Sequence, residues 1–293
     1  MISGPIRYCK RLAPEALKRP IRKWMHARWH AKAARAQIAY YEAREQEIRR
    51  VLGSPAILQT FLKSEALPKN YGRGLDERIV EYPWLMSRLG NRSSKLLDLG
   101  STLNHEYVLE RIGLPDREVS IATLEPEIFC FWQKRVNYVF CDARELPFRE
   151  NYFDEVACIS TLEHVGCDNT RYYSANPAYK ERSPDAFLDV VREIYRVLKP
   201  GGTFYLTVPF GKAINYGWFQ QFDVSMLNQL SAAWGSKPVS ETYFLYHSGW
   251  HISSVNECSG ATSFHDVPRP LDGDQPIASM SIAALQFTKL GRT

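Results

Sequence analysis

The stretch LLDLGSTLNHEYVL, residues 96–109, decides the fold. Leu96, Leu97, Asp98 and Leu99 form a mostly apolar run closed by Gly100, the pattern of a buried strand entering a tight turn. A glycine-rich nucleotide loop would carry further glycines at 102 and 104, where Thr102 and Asn104 stand. The segment fits a cofactor loop of altered chemistry. It also fits a plain strand end whose Thr102 and Asn104 cap the following helix.

Outward from this strand the chain alternates. A helix is predicted over 104–112, stopped by Gly113 and Pro115. A second strand follows at 118–124, and Pro126 opens a short helix. Apolar runs at 137–141 and 154–160 read as the third and fourth strands. A helix over 184–198, with Ser183 as N-cap beside Pro184, ends at LKPGG and leads into a fifth strand at 203–209. Strand–helix alternation with continuous apolar strands argues for a parallel sheet covered on both faces. Residues 242–248 and 280–289 lack helical periodicity and read as a closing antiparallel pair. Upstream, Ile21, Trp24, Met25, Trp29, Ala33, Ala36 and Tyr40 recur at helical steps until Gly53-Ser54-Pro55. The expected division is a helical arm over 1–70 and a main domain over 71–293.

The chain has 293 residues, 45% hydrophobic, enough for one large α/β domain with an appendage. Residues 1–50 hold 13 Lys and Arg against 4 Glu, whereas the remainder holds 24 against 28 acids. The basic character therefore belongs to the arm, and a slightly acidic body disfavours nucleic acid as a partner. Six cysteines show neither a CxxC pair nor zinc-like spacing, so buried reduced thiols and no metal are expected. No apolar run approaches the ~20 residues of a membrane helix, and no secretory apolar segment follows the N-terminal charges. A cytoplasmic location is expected, with peripheral membrane contact through the arm as an option.

In open α/β sheets ligands sit beyond the carboxyl ends of the strands. Three consecutive strands here end near a carboxylate: Asp98, Glu125 and Asp142. The second could accept both hydroxyls of a ribose, and the third an exocyclic amine while the next backbone N–H donates to the ring. Taken singly, each acid is more often a strand or helix cap. The ordered set carries the functional reading.

The motifs KLLDLGS, TLEPE, FCDARELPFRENYFDEVACISTLEHVG and REIYRVLKPGGTFYLTVPFG together resemble class I S-adenosylmethionine-dependent methyltransferases. The resemblance spans roughly residues 72–293, and within the superfamily the motifs are similar to bacterial members of polysaccharide and secondary-metabolite pathways. It implies a Rossmann-like, doubly wound α/β sheet of seven strands in the order 3-2-1-4-5-7-6, the last antiparallel. It implies S-adenosyl-L-methionine as cofactor. Asp98 and Gly100, with Ser101 and Asn104, would line its methionine part. Glu125 would hold the ribose, Asp142 and Ala143 the adenine, and Ser160, Thr161 and Glu163 would border the transferred methyl. The loop departs from the family's Asp-x-Gly-x-Gly-x-Gly at Thr102 and Asn104. A dinucleotide needs those glycines for close approach of backbone to pyrophosphate. S-adenosylmethionine carries an amino-acid tail instead, so the departure weighs mainly against an NAD-dependent oxidoreductase.

Methyl transfer requires an acceptor nucleophile aligned about 3 Å from the carbon and, for a hydroxyl, a base. His164 is the candidate base with Glu163 beside it; both residues are equally readable as structural. Insertions at 166–183 and 210–240 are the candidate acceptor lid, carrying Arg171, Tyr172, Tyr173 and Trp218, with His251 as a further candidate. Such side chains suit a sugar or another polyhydroxylated ring; the bland alternative is a pair of self-packed loops. The expected activity is methylation of a small molecule or glycan precursor at a hydroxyl oxygen. The rival from another class is a non-catalytic scaffold that binds a partner through the arm. The arm itself is a candidate for an anionic membrane surface or a homo-oligomer contact, against the plain alternative of a solvated face.

Overall fold

The computed structural model describes residues 35, 37–89, 93–114, 116–170, 173, 176–263 and 279–291. Its sheet uses β1 (Ser94–Leu99), β2 (Arg117–Thr123), β3 (Val136–Phe140), β4 (Phe153–Ile159) and β5 (Leu198–Pro209). A small hairpin follows, β6 (Ile214–Asn215) and β7 (Gln220–Gln221), then β8 (Ser240–Tyr246), β9 (Trp250–Ser253) and β10 (Ser281–Thr288). The sheet order is β3-β2-β1-β4-β5-β10-β8-β9. The first five strands are parallel, and β10 runs antiparallel between β5 and β8. This is the expected order, with one correction: the sheet among the described residues has eight strands, not seven. The eighth arises because the chain turns after Tyr246 and pairs Trp250 back against it. Gly249 permits the turn at φ +137°, where a Cβ would lie 2.7 Å from the Asn70 carbonyl carbon. The Trp250 N–H then donates to the Tyr71 carbonyl at 2.7 Å, fastening the hairpin.

Side-chain alternation along β1 divides the core. Leu96 joins the cluster on one face, while Leu97 and Leu99 join the cluster on the other. The first face is covered by α1 (37–52), α2 (Pro55–Leu62) and α3 (Arg78–Leu89), which bury Ile48, Val51, Phe61, Ile79, Trp84 and Leu85. The described part of the expected arm, from residue 35, thus shares its core with the main sheet; residues 1–34 lie outside the description. The short α4 (Glu106–Leu109) also packs on this face. The other face is covered by α5 (Phe187–Val197) and α6 (Val224–Trp234). Apolar Phe187, Val190, Val191, Ile194 and Val197 give α5 its buried stripe.

Three local expectations differ from the structure. The helix expected over 104–112 is only Glu106–Leu109; beyond it the Arg111 N–H bonds to the Val108 carbonyl, three residues back rather than four. No helix opens at Pro126; a 3-10 turn at Trp132–Lys134 lies further on, and side chains hold the intervening backbone instead. Ser183 makes no side-chain capping bond, since a 3-10 turn at Pro184–Ala186 precedes α5.

A buried ion network closes the end of the sheet opposite the strand tips. Arg117 and Glu155 pair at 3.3 Å, both essentially without solvent contact. The Ser94 hydroxyl accepts from Arg117 Nε at 2.9 Å and donates to Glu155 at 2.6 Å, and Arg117 Nη2 donates to the Leu89 carbonyl at 2.8 Å. Removing one partner of such a pair strands the other in low dielectric. Arg117→Met should therefore cost about 3–5 kcal/mol, read as a lower urea midpoint at unchanged slope. A loss under about 1 kcal/mol would contradict the network's importance.

Candidate functional site

A cleft opens at the carboxyl ends of β1 to β4. Gly100, Thr123, Asp142, Ala143, Thr161 and His164 are among its walls. Gly100 sits at φ +100°, and a Cβ there would fall 2.1 Å from Thr161 Oγ1. No other side chain fits, so the turn after β1 requires a glycine once. The two residues in place of the later glycines are bridges rather than caps. The Thr102 hydroxyl donates to the Ile159 carbonyl at 2.8 Å, tying the loop to β4. Asn104 donates to the Phe129 carbonyl at 2.9 Å and accepts from the Tyr138 hydroxyl at 2.8 Å, tying it to the β2–β3 connection. The residue at the N-cap of α4 is His105, with no side-chain capping bond.

Behind Gly100 lies a buried carboxyl. Asp98 is fully buried; one oxygen accepts the Leu103 N–H at 2.9 Å, and Oδ1 has no partner. Burial pushes its pKa up to about 7, against the pull of the Leu103 and Thr102 N–H groups. Ser101 Oγ is likewise buried without a partner, on a residue at φ +62°.

The expected acids at the ends of β2 and β3 are both engaged. The cleft wall at the end of β2 is Thr123 and Leu124, while Glu125 binds the Tyr179 hydroxyl. Asp142 is gripped by Arg144, which donates through Nε at 3.0 Å and Nη2 at 2.6 Å, with the Arg144 backbone N–H adding 2.8 Å. Burial raises the Asp142 pKa, but these hydrogen bonds outweigh it and hold the carboxyl below its ordinary value. Arg144 also makes two 2.7 Å bonds to Glu181 of the 166–183 insertion. The insertion is thus latched to the β3 tip through one guanidinium, and Tyr173 from the same insertion lines the cleft.

At the end of β4, Ser160 (φ +40°) donates its hydroxyl to Glu81, which also receives the Thr207 hydroxyl at 2.6 Å. Glu163 is buried, its carboxyl pushed well above the ordinary range by desolvation, and its Oε2 has no partner. His164 lines the cleft. Its Nδ1 lies 2.9 Å from the Trp218 carbonyl and its ring stacks on the Trp218 ring at 5.5 Å. A carbonyl only accepts, so Nδ1 carries the proton and the lone pair of the neutral ring lies on Nε2, 3.9 Å from Glu163.

Gly100, Asp142, Ala143, His164 and Tyr173 therefore share one cleft, with Asp98 and Ser101 buried beside its floor. Arg171 and Tyr172 lie outside the described residues. His251 stands on β9 at the far edge of the sheet from β3 and does not reach the cleft. Glu181, Glu81 and Thr123 escaped the sequence reading. Only Thr123 left a signal, as the penultimate residue of the run at 118–124, two residues before Glu125. Among the described residues, no three His, Cys, Asp or Glu are grouped to hold a metal.

The fold and cleft define a doubly wound α/β protein with a ligand slot at its strand tips. A family model described as a methyltransferase domain matches residues 116–206. The chain is 27% identical over 157 residues to the ubiquinone/menaquinone biosynthesis C-methyltransferase UbiE of Desulfotalea psychrophila, covering 52% of this chain and 53% of that protein. It is 29% identical over 147 residues to the protein of the same name from Stutzerimonas stutzeri, covering 47% and 48%. The chain thus spans about half the length of these curated relatives. In structure it is similar to the 1,6-didemethyltoxoflavin-N1-methyltransferase of Burkholderia thailandensis, solved with S-adenosylhomocysteine, at a TM-score of 0.43 and 18% identity over 99% of this chain and 94% of that one. These likenesses support the class I S-adenosylmethionine-dependent methyltransferase superfamily that the strand-tip motifs resemble.

Two measurements test this electrostatic arrangement. Arg144→Met should free the insertion, raising hydrogen exchange over 176–183 roughly fivefold, the equivalent of about 1 kcal/mol for a half-exposed latch; unchanged exchange would refute it. An unfolded Asp ionises near ~3.9, whereas Asp98 keeps its proton up to about 7. The unfolded state loses its proton first, so stability falls as pH rises between those values and levels off above them. Asp98→Asn should flatten that slope, gaining about 1–3 kcal/mol on the parent between pH 5 and 7.5 in urea titrations.

Proposed function

We propose that this chain transfers a methyl group from S-adenosyl-L-methionine to a small-molecule acceptor, at a hydroxyl oxygen of a polyhydroxylated ring or glycan precursor. The observation that carries the proposal is the single cleft joining Gly100, Asp142 and Ala143 to His164. When bound, the donor supplies a methyl already activated by its sulfonium. The residues present fit it. Buried, unpartnered Asp98 Oδ1 and Ser101 Oγ offer polar contacts for an amino-acid tail, Asp98 toward an ammonium. Asp142 and the Ala143 N–H suit an adenine edge at the β3 tip. Glu125 would serve ribose hydroxyls once Tyr179 yields its bond, with Thr123 nearer the wall.

His164 then has a definite task. Held by the Trp218 carbonyl, it presents a basic Nε2 that takes the acceptor hydroxyl's proton as the oxygen attacks. Neutral Glu163 sits behind it as an uncharged neighbour, favoured in that form by burial. Ser160 and Thr161 shape the wall at the β4 tip. Tyr173, which lines the cleft, and Trp218, stacked on His164, are assigned to the acceptor side. His251 has no part in this assignment.

A second reading follows from the curated relatives, whose names specify C-methylation in ubiquinone and menaquinone biosynthesis. The same base, taking a proton from a ring hydroxyl, would make the adjacent ring carbon nucleophilic. The product separates the two readings, since carbon-13 methyl shifts distinguish O-methyl from C-methyl.

Isothermal titration with S-adenosylmethionine should give a measurable affinity that Asp142→Ala weakens at least tenfold, or about 1.4 kcal/mol. Absence of heat at millimolar donor would defeat the proposal. His164→Gln should lower kcat by about 10²–10⁴ while donor affinity holds. Full turnover in that variant would remove the base role.

A further inference from the structure

Between β2 and β3 the chain presents Ile128, Phe129 and Trp132 to solvent at 91%, 72% and 67% exposure. Three large apolar side chains so close in sequence are not scattered surface residues. The loop that carries them is held by built contacts. The Asn104 amide donates to the Phe129 carbonyl at 2.9 Å, and the Phe131 N–H donates to the Tyr138 hydroxyl at 2.7 Å. Phe131 packs inward against the core. One aromatic thus anchors the loop while three apolar neighbours point away. The asparagine that replaces the last glycine of the cofactor loop is itself part of this support.

We infer that the 126–132 loop is an interfacial wedge that seats the protein on an anionic lipid surface. Area favours lipid over protein. The three exposed side chains offer roughly 450 Å², well short of the ~800 Å² that each partner buries in a stable protein interface. A few aromatic and aliphatic side chains suffice to enter the headgroup boundary.

Charge favours an anionic surface. Lys134 and Arg135 follow the wedge directly, and residues 1–34 carry 9 Lys and Arg against a single Glu. The described chain enters through α1, whose Arg49 lies over the Tyr107 ring at 5.3 Å and pairs with Glu110. Glu110 also meets Lys134 at 3.7 Å, so α1, α4 and the end of the wedge share one side of the molecule. The acids among them, Glu42, Glu45, Glu47, Glu106, Glu110 and Glu127, temper the local charge, and Lys134 is itself paired with Glu106 at 2.9 Å, which leaves apolar insertion as the main anchor. Leu124, just before the wedge, lines the cleft, so docking brings the cleft wall close to the lipid boundary.

Co-sedimentation with phosphatidylcholine vesicles, with and without phosphatidylglycerol, tests the inference on the full chain. Binding is expected to the anionic vesicles. A variant carrying Ile128→Ser, Phe129→Ser and Trp132→Ser, checked for its fold by circular dichroism, should lose at least tenfold in partition coefficient. The residual binding of the parent at high salt should vanish in it, because apolar insertion resists screening whereas attraction through basic residues does not. Separately, brominated lipid should quench tryptophan emission in the parent and clearly less in Trp132→Phe. Parent protein that ignores both vesicles would overturn the inference. So would a triple variant that sediments like the parent, or self-association in the ultracentrifuge that the triple variant abolishes without any vesicle binding.

Discussion

The site depends on how closely the turn after β1 approaches the tip of β4. At Gly100 there is no room for a β-carbon, because Thr161 already fills that space. The contact draws the first loop against the fourth strand and leaves the cleft on one side of it. Once made, it removes the need for further glycines. Thr102 and Asn104 then spend their side chains on β4 and on the β2–β3 connection, so a loop that is flexible by composition elsewhere is cross-braced here. Rigid support of this kind is what the proposed methyl transfer would ask of the protein, since its rate would depend on alignment of donor and acceptor.

Charge is distributed by the same economy. The cleft gathers Asp142 and Glu181 around a single Arg144, so two carboxylates at its rim are neutralised by one guanidinium. Deeper groups have no such partner and respond through their protons instead: Asp98 and Glu163 are driven toward the neutral form by burial. A cationic ligand near Asp98 would reverse that preference locally. The 166–183 insertion is fastened by Arg144 to Glu181 and by Tyr179 to Glu125, which couples any opening of the cleft to breaking polar contacts at its rim.

Much of the fold was legible in the sequence because its strands are buried on both faces. The apolar runs at β1, β2, β4 and β5 needed no partner to be recognised, and the antiparallel pairing of β8 with β10 was read from the lack of helical periodicity in residues 242–248 and 280–289. Pro126 misled, because proline marks a helix start only when the backbone after it has no better partners. Here the Asn104 amide and the Tyr138 hydroxyl bond to that backbone at Phe129 and Phe131, outside any helix. The ninth strand was illegible for the same reason, resting on a contact between Gly249 and Asn70.

By itself the sequence determined the sheet's central order, the glycine turn after β1, and the acids and histidine at the strand tips, because each follows from local pattern and strand polarity. The tertiary structure decided which of those groups are free to act. It bound Asn104 to the β2–β3 connection, engaged Glu125 with a tyrosine, moved His251 to the far edge and set His164 Nδ1 against the Trp218 carbonyl. The reason is physical: a side chain's role depends on its hydrogen-bond partners and dielectric surroundings, and these come from residues tens of positions away in the chain.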